Sequence, residues 1–546
     1  MSLCRQRSSL FVFRKPWRPF VRTNINIWND SILIAFVLVR DTDLKKLNPA
    51  GMDAAHRQEC LPDTRLDIIE SVADWVMEPS GKQNVLWLHG LAGSGKSTLA
   101  TTLAQFFGQL GRLGAFLFFD RDVKERSDPL TVVKTLAFQL AEFDSRILQA
   151  VADAIRKVQS TLRSSLGLQF ETFLNKPLAS SSLEGLHSSG PIVVILDGLD
   201  ECGNAESRTH LLEVLRDQLP KLPPCYRFII TSRTESDIRD ALSVPDHVDE
   251  RELDISSTSN NNDIQVYIRH QMSSIRGYRK HLSFPPDWPG ESKLSALADR
   301  AAGLFVWAST AMKFIRSGQD PEQRLNILIK ADVAPEAERA LNGLYQTALQ
   351  TAGNWDDPSF ALEFRAVIGM ILAAKNPLSS NAIDKLRGPD AQWPSLDKIS
   401  NLGSVLTLPP HPIRILHFSF ADFLSDLNRC GDERWYIDVA CHNYYLARRC
   451  LDCLGRFLQN PIAYAEPSLS WGTVSMTLPE EVSYACIFWP DHIYAVVDDG
   501  HRVSIAEHFE DFLRKHFLHW LEALSVLKRS REATRMLGRL LQWVVG

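Results

Sequence analysis

Val85-Leu86-Trp87-Leu88-His89-Gly90-Leu91-Ala92-Gly93-Ser94-Gly95-Lys96-Ser97 is the stretch that decides the fold. Val85 to Leu88 is an apolar run that reads as a buried strand, and Gly90 to Ser97 fits G-x-x-x-x-G-K-[ST] in full. Beyond it Leu99, Leu103, Phe106, Phe107 and Leu110 recur at helical spacing. Strand, glycine-rich loop and helix in that order suit a phosphate. Glycines let backbone N–H groups turn inward around phosphate oxygens, and the helix N-terminus adds about half a positive charge. The expected phosphate-facing residues are Gly90, Ala92, Gly93, Ser94, Gly95, Lys96, Ser97 and Thr98. Lys96 is expected to reach the β/γ-phosphates and the Ser97 hydroxyl to ligate Mg²⁺. A glycine-rich turn without a ligand is the bland alternative, and the flanking strand and helix argue against it.

Such a loop needs an acid on a neighbouring strand to hold the metal. Ile192-Val193-Val194-Ile195-Leu196-Asp197 supplies one, an apolar run ending in a carboxylate at the edge where α/β sheets bind ligands. Asp197 is therefore the expected Mg²⁺ partner, alongside Ser97. Asp200 and Glu201 follow as candidates to orient or deprotonate an attacking water. A further strand, Phe228 to Thr231, leads into Ser232 and Arg233, and Arg233 is the expected reporter of a γ-phosphate. The bland readings are a solvated acidic loop and an ordinary surface cation.

Strand candidates at Val85–Leu88, Ala115–Phe119, Ile192–Leu196 and Phe228–Thr231 alternate with helical stripes, which predicts an α/β P-loop core with a mainly parallel sheet. Beyond Asp263 helical stripes dominate, among them Ile264-Tyr267-Ile268, Phe305-Ala308-Met312-Ile315 and Phe509 to Leu524. One β-like run, Ile413 to Leu416, sits inside helical surroundings as in a winged helix. Cys441, His442, Cys450 and Cys453 invite a zinc reading, but all fall in one helical stretch, Tyr436 to Leu454, which favours buried thiols. No unit of roughly 33 to 45 residues recurs.

Composition narrows the classes without naming one. The chain has 546 residues, 45% hydrophobic and 23% charged, with 60 Lys and Arg against 65 Asp and Glu. A net charge of -5 lacks the basic excess of a nucleic-acid binder, so no nucleic-acid partner is expected. Nine cysteines in so long a chain do not make a secreted disulfide scaffold, and a reducing, cytoplasmic setting is expected. The run Ile32 to Val39 falls far short of the ~20 residues that span a bilayer. The first 29 residues are basic and acid-poor, but Pro16 and Pro19 break any targeting helix; a poorly ordered extension is the preferred reading.

Together these residues resemble the NACHT family of signal-transduction NTPases (STAND class), in particular a fungal branch with a nephrocystin-like nucleotide-binding domain. The matching segments are Cys60 to Arg65, Gly90 to Ser97, Leu196 to Cys202, Thr231 to Arg233, Gly303 to Ala308, Leu416 to Leu424 and Tyr484 to Cys486. The resemblance implies an extension over 1–44, a lead-in helix over 45–80, a nucleotide-binding domain over 81–258, a small helical domain over 259–335, a winged helix over 336–430 and a C-terminal helical domain over 431–546. It implies a switch: ADP holds an off state through His417, and exchange for ATP–Mg²⁺ exposes a homo-oligomerisation surface. Slow hydrolysis resets it, with an upstream ligand and a downstream effector both unidentified. A histidine packed beside Phe418 and Phe420 is the bland reading of His417. Phe305 stands where relatives often carry a proline against the base. Asn175-Lys176 continues as Pro177-Leu178, so no guanine-reading Asn-Lys-x-Asp appears and ATP/ADP is favoured, with GTP/GDP left open. A catalytically idle scaffold with bound ADP is the alternative function.

Overall fold

The computed structural model describes residues 43–545 apart from 56, 79–82, 280–283, 331–335, 390–392 and 460–477, so the basic N-terminal stretch lies outside the described residues. Its α/β half is a parallel sheet of β1 (Val85–His89), β2 (Leu113–Phe118), β3 (Ile192–Asp197), β4 (Tyr226–Ser232) and β5 (Val248–Glu252), in lateral order β2-β3-β4-β1-β5. Strands β1, β3 and β4 are buried along their whole length, as both-face burial in a parallel sheet demands. Two expectations are corrected. The strand carrying Asp197 is not the neighbour of the P-loop strand, because β4 runs between them, pairing Leu88 with Thr231 and Ile195 with Ile229. The edge strand β5, Val-Asp-Glu-Arg-Glu, was not expected, since its charges hide the apolar signal.

Alternation along β1 divides two cores. Leu86 and Leu88 face Leu99, Leu103 and Phe107 of α2 (Lys96–Gln109), together with Val72 and Trp75 of α1 (Leu66–Met77). Val85 and Trp87 face the other way, with Val194, Leu196, Phe228 and Ile230, onto helices running from Val132 to Leu186. The strand thus holds the phosphate loop between two apolar layers. Truncating a buried leucine such as Leu103 to alanine costs about 2–5 kcal/mol.

After β5 the chain is helical: α3 (Thr258–Tyr278), α4 (Phe305–Ser317), α5 (Ala337–Gln350), α6 (Pro358–Ala373), α7 (Phe418–Leu424), α8 (Val439–Phe457), α9 (Glu480–Tyr494), α10 (Asp499–Val526) and α11 (Ser530–Val545). One continuous apolar cluster runs from Ile264 to Trp543. The Ile413–Leu416 run forms no full strand; it makes single antiparallel bridges, Ile413 to Leu378 and Ile415 to Leu406. Cys450 and Cys453 are buried thiols on α8. Among the described residues no helix is long and apolar enough to cross a membrane.

The junction into α4 is tight. Gly303 has φ +79°, and a Cβ there would lie 2.1 Å from the Ile255 carbonyl oxygen. Asn260 closes this corner, its Nδ2 donating to the Ile255 oxygen at 2.8 Å and the Gly303 oxygen at 3.0 Å. The corner aims the start of α4 at the P-loop.

Candidate nucleotide-binding site

The loop between β1 and α2 has the backbone of a phosphate cradle. Gly93 and Gly95 take φ +82° and +96°, a region that disfavours any Cβ. Gly93 is also crowded: a Cβ there would lie 2.0 Å from Val306 Cγ1, and the Val306 N–H donates to the Gly93 carbonyl at 3.1 Å. The Ser94 hydroxyl is buried and has no hydrogen-bond partner in the protein. Lys96 Nζ donates to the carbonyls of Gly90 and Leu91, each at 2.8 Å. Burial pulls the Lys96 ammonium down to about 8, against the nearby Asp200 charge. A buried cation and positive-φ glycines fit a phosphate chain, while Gly90 and Ser94 lie behind the cavity lining. Ala92, Gly93, Gly95, Ser97 and Thr98 line the same cavity of about 390 Å³.

The other end of that cavity is flat and aromatic. Arg65, itself at φ 60°, donates from its backbone to Asp263 Oδ2 at 3.0 Å and from its guanidinium to the Ser94 carbonyl at 2.6 Å. The guanidinium lies 4.7 Å from the centre of the Phe305 ring, and Tyr267 meets that ring edge-on at 6.0 Å. Phe305 therefore supplies an apolar wall at the position where relatives often carry a proline. Arg65, Tyr267 and Phe305 present surfaces on which a planar base can stack.

The acidic residues are already engaged. Asp197 is almost fully buried; its Oδ1 accepts from the Thr231 hydroxyl at 2.6 Å and its Oδ2 from the Arg57 guanidinium. Asp200 Oδ1 accepts the Arg233 backbone N–H at 2.9 Å, and the Arg233 Nε lies 3.3 Å from Asp200 Oδ2. Arg233 Nη1 donates in turn to Asp422 Oδ2 on α7 at 2.7 Å. Glu201 lines the cavity, and burial, reinforced by Asp200 and Asp120, pushes its carboxyl well above the usual range. Of the two acids, Glu201 is the one whose carboxyl makes no hydrogen bond or ion pair among the described residues. Ser97 is exposed at the start of α2, but both carboxylate oxygens of Asp197 already accept a hydrogen bond in this conformation.

His417 lies over the loop from the opposite side. It caps α7, its Nδ1 accepting the Ser419 N–H at 3.2 Å and meeting the Ser419 hydroxyl at 2.6 Å. The Ser419 hydroxyl is itself met by the Tyr345 hydroxyl at 2.7 Å. An Nδ1 that accepts leaves the proton on Nε2. Burial, with the Arg233 and Lys96 charges, depresses the imidazole to about 3, so it stays neutral. A Cβ on Gly93 would lie 3.7 Å from His417 Cε1, which places the ring against the phosphate loop. His417, Ser419 and Asp422 form no hydrolase relay, since Asp422 turns to Arg233.

Several cavity residues carry no linear signal. Arg57, Lys313 and Arg414 face the cavity, from the lead-in segment, α4 and the turn before α7. Each is a single cation outside any motif, and only folding brings it to the loop. Arg65 and Tyr267 lay within recognised stretches, but nothing in their spacing aims them at a base.

A glycine-lined loop between a buried parallel strand and a helix, with a cationic lysine and a carboxylate at the end of another strand, defines a P-loop NTPase core. Residues 66–233 match the family described as Nephrocystin 3, N-terminal. It is 25% identical over 372 residues to the vegetative incompatibility protein HET-E-1 of Podospora anserina, covering 64% of this chain and 26% of that protein. The chain thus spans about a quarter of the length of that relative. Among solved structures, Cdc6p from Pyrobaculum aerophilum overlaps 73% of this chain and 98% of its own at 10% identity and a TM-score of 0.29. A chain from Drosophila ORC bound to GC-rich DNA and Cdc6 overlaps 97% and 77% at 13% identity and a TM-score of 0.25. Overlaps this loose add nothing to what the sheet order already says.

Proposed function

We propose that the protein is a nucleotide-operated switch whose closed form holds a nucleoside diphosphate under its helical half. The observation that carries the reading is the bracketing of one cavity by both halves of the chain. Val306 seats on Gly93 from α4, and Arg233 pairs with Asp422 on α7. A ligand between such walls is exchanged only when they part, so its occupancy and the conformation are linked. In this reading the segments 259–335 and 336–430 are a small helical domain and a winged helix that move against the core 81–258, while 431–546 follows as a second helical domain.

Each residue then has a part. The loop amides and Lys96 take the phosphates; Arg65, Tyr267 and Phe305 take the base, with adenine favoured over guanine. Neutral His417 donates from Nε2 to the terminal phosphate of the diphosphate. A γ-phosphate would crowd His417 and draw Arg233 from Asp422, which favours the open form. Glu201, with its raised carboxyl, suits slow deprotonation of a water, and Asp200 holds Arg233. Opening exposes the α4 and α7 faces for self-association in a cytoplasmic signalling pathway; the activating ligand and the effector are separate components.

The test measures binding of a fluorescent ADP analogue, phosphate release and self-association for wild type, Lys96→Ala and Glu201→Gln. Lys96→Ala is expected to lose binding at least about tenfold, and Glu201→Gln to bind normally while phosphate release falls. Equal binding by wild type and Lys96→Ala would sink the reading. The second reading, an idle scaffold with permanent ADP, is favoured by the closed ion pairs of Asp197, Asp200 and Arg233. Phosphate release no faster than background in every assembly state would select it.

A further inference from the structure

The lead-in segment places a cation on the acid that a metal would need. Arg57 precedes α1 and belongs to neither the loop nor the strands, yet its guanidinium donates to Asp197 Oδ2 at the end of β3. Its Nε donates to the Thr101 hydroxyl at 3.1 Å, and that hydroxyl donates to the Ser97 carbonyl at 2.8 Å. Ser97 and Thr101 are one turn apart on the same face of α2. The guanidinium carbon lies 4.5 Å from the Phe118 ring centre and 5.7 Å from that of Phe116, so aromatic faces of β2 support it from the side. Arg57 therefore lies between α2 and the end of β3, on the carboxylate that a divalent ion would need. Arg57, not Asp197, faces the cavity.

We propose that Arg57 is a tethered counter-cation that occupies the metal side of Asp197, so that the closed form takes nucleoside diphosphate without a divalent ion. The inference rests on the switch reading and adds a metal-exclusion device to it. The physical reason is competition for one carboxylate. Asp197 is desolvated, its Oδ1 is taken by Thr231, and its charge is neutralised by a guanidinium held at three points. A divalent ion must displace that guanidinium, and a displaced Arg57 draws the 57–65 segment from the sheet edge. The same segment carries Arg65, whose guanidinium holds the Ser94 carbonyl, so metal entry and the base end of the cavity are mechanically joined. Removing Arg57 strips the carboxylate of its hydrogen-bonded cation, and a cation from solution can take that place.

The experiment uses the full chain as wild type, Arg57→Gln, Arg57→Lys, Asp197→Asn and the double variant Arg57→Gln/Asp197→Asn, with Lys96→Ala as the binding control. Affinity for a fluorescent ADP analogue is measured in EDTA and in millimolar MgCl₂, and circular dichroism melts report folding. Wild type is expected to respond to Mg²⁺ by less than about twofold. Arg57→Gln is expected to gain at least about tenfold with Mg²⁺, and the double variant to lose that gain because it runs through Asp197. Arg57→Lys, which cannot hold Thr101 and Asp197 together, is expected to fall between and serves if Arg57→Gln does not fold. An unchanged Mg²⁺ response in Arg57→Gln or Arg57→Lys, with ADP still bound, would overturn the inference while leaving the switch reading intact. Equal binding by wild type and Lys96→Ala would instead overturn the switch reading, and this inference with it.

Discussion

Arg233 and Asp422, 189 positions apart in the chain, meet at 2.7 Å and join the end of β4 to α7 across the cavity. The same guanidinium lies 3.3 Å from Asp200, so one cation is shared between the core and the helical half. Its pairing with Asp422, and then Asp200, keeps it fully charged against the cost of burial.

Asp422→Asn is expected to loosen the closed form. A hydrogen bond to a charged group is worth about 1.5–3 kcal/mol, and about half of that acting on closure speeds ADP release roughly three- to tenfold. Stopped-flow displacement of a fluorescent ADP checks this, and an unchanged off-rate would confine the pair to local packing.

The relay Tyr345–Ser419–His417 gives a second handle. Tyr345→Phe removes one buried hydroxyl bond, worth about 0.5–1.5 kcal/mol, and lets the Ser419 hydroxyl rotate away from Nδ1. ADP release is expected to rise about two- to tenfold, less than in His417→Ala, which in the switch reading removes the donor to the diphosphate. A larger effect from Tyr345→Phe than from His417→Ala would show that the tyrosine acts through something other than the histidine.

Acid is expected to destabilise the closed form through His417 and His492. Both are held neutral by burial, His417 at about 3 against an ordinary 6.5, and His492 well below it between Tyr484 and Asn443. Between about 3 and 6.5 the unfolded chain takes up a proton that folded His417 refuses, so its contribution is whole above 6.5 and is lost as pH falls toward 3. Each such proton gives a slope of up to about 1.4 kcal/mol per pH unit. Urea midpoints from pH 7.5 down to about 5 check it, and His417→Gln is expected to flatten part of the slope.

Gly303→Ala tests the corner that aims α4. The added Cβ meets the Ile255 carbonyl at 2.1 Å in a backbone with φ +79°, and overpacking plus strain cost about 2–5 kcal/mol. Gly51→Ala, with nothing within 4 Å, is the control and is expected to stay within about 0.5 kcal/mol. Urea denaturation of both variants decides it, since equal midpoints would mean that the corner yields freely.

The linear chain was enough for the glycine-rich loop between strand and helix and for the α/β class. Local rules govern these parts: a glycine-rich loop needs no distant partner to be recognised, and an apolar run ending in Asp197 reads as a strand edge wherever it packs. Edge strand β5 escaped because it is half-exposed and charged, and the lateral order placed β4 between β1 and β3 through pairings that no spacing encodes. Tertiary structure alone decided what each charged group faces. Arg57 reached Asp197 across 140 positions, Arg233 turned to Asp422, and the Tyr345 hydroxyl met the Ser419 hydroxyl beside His417. A charge carries no periodicity that would reveal its partner. Its partner is fixed by where burial leaves a charge unsolvated and which opposite group the packed helices bring within reach.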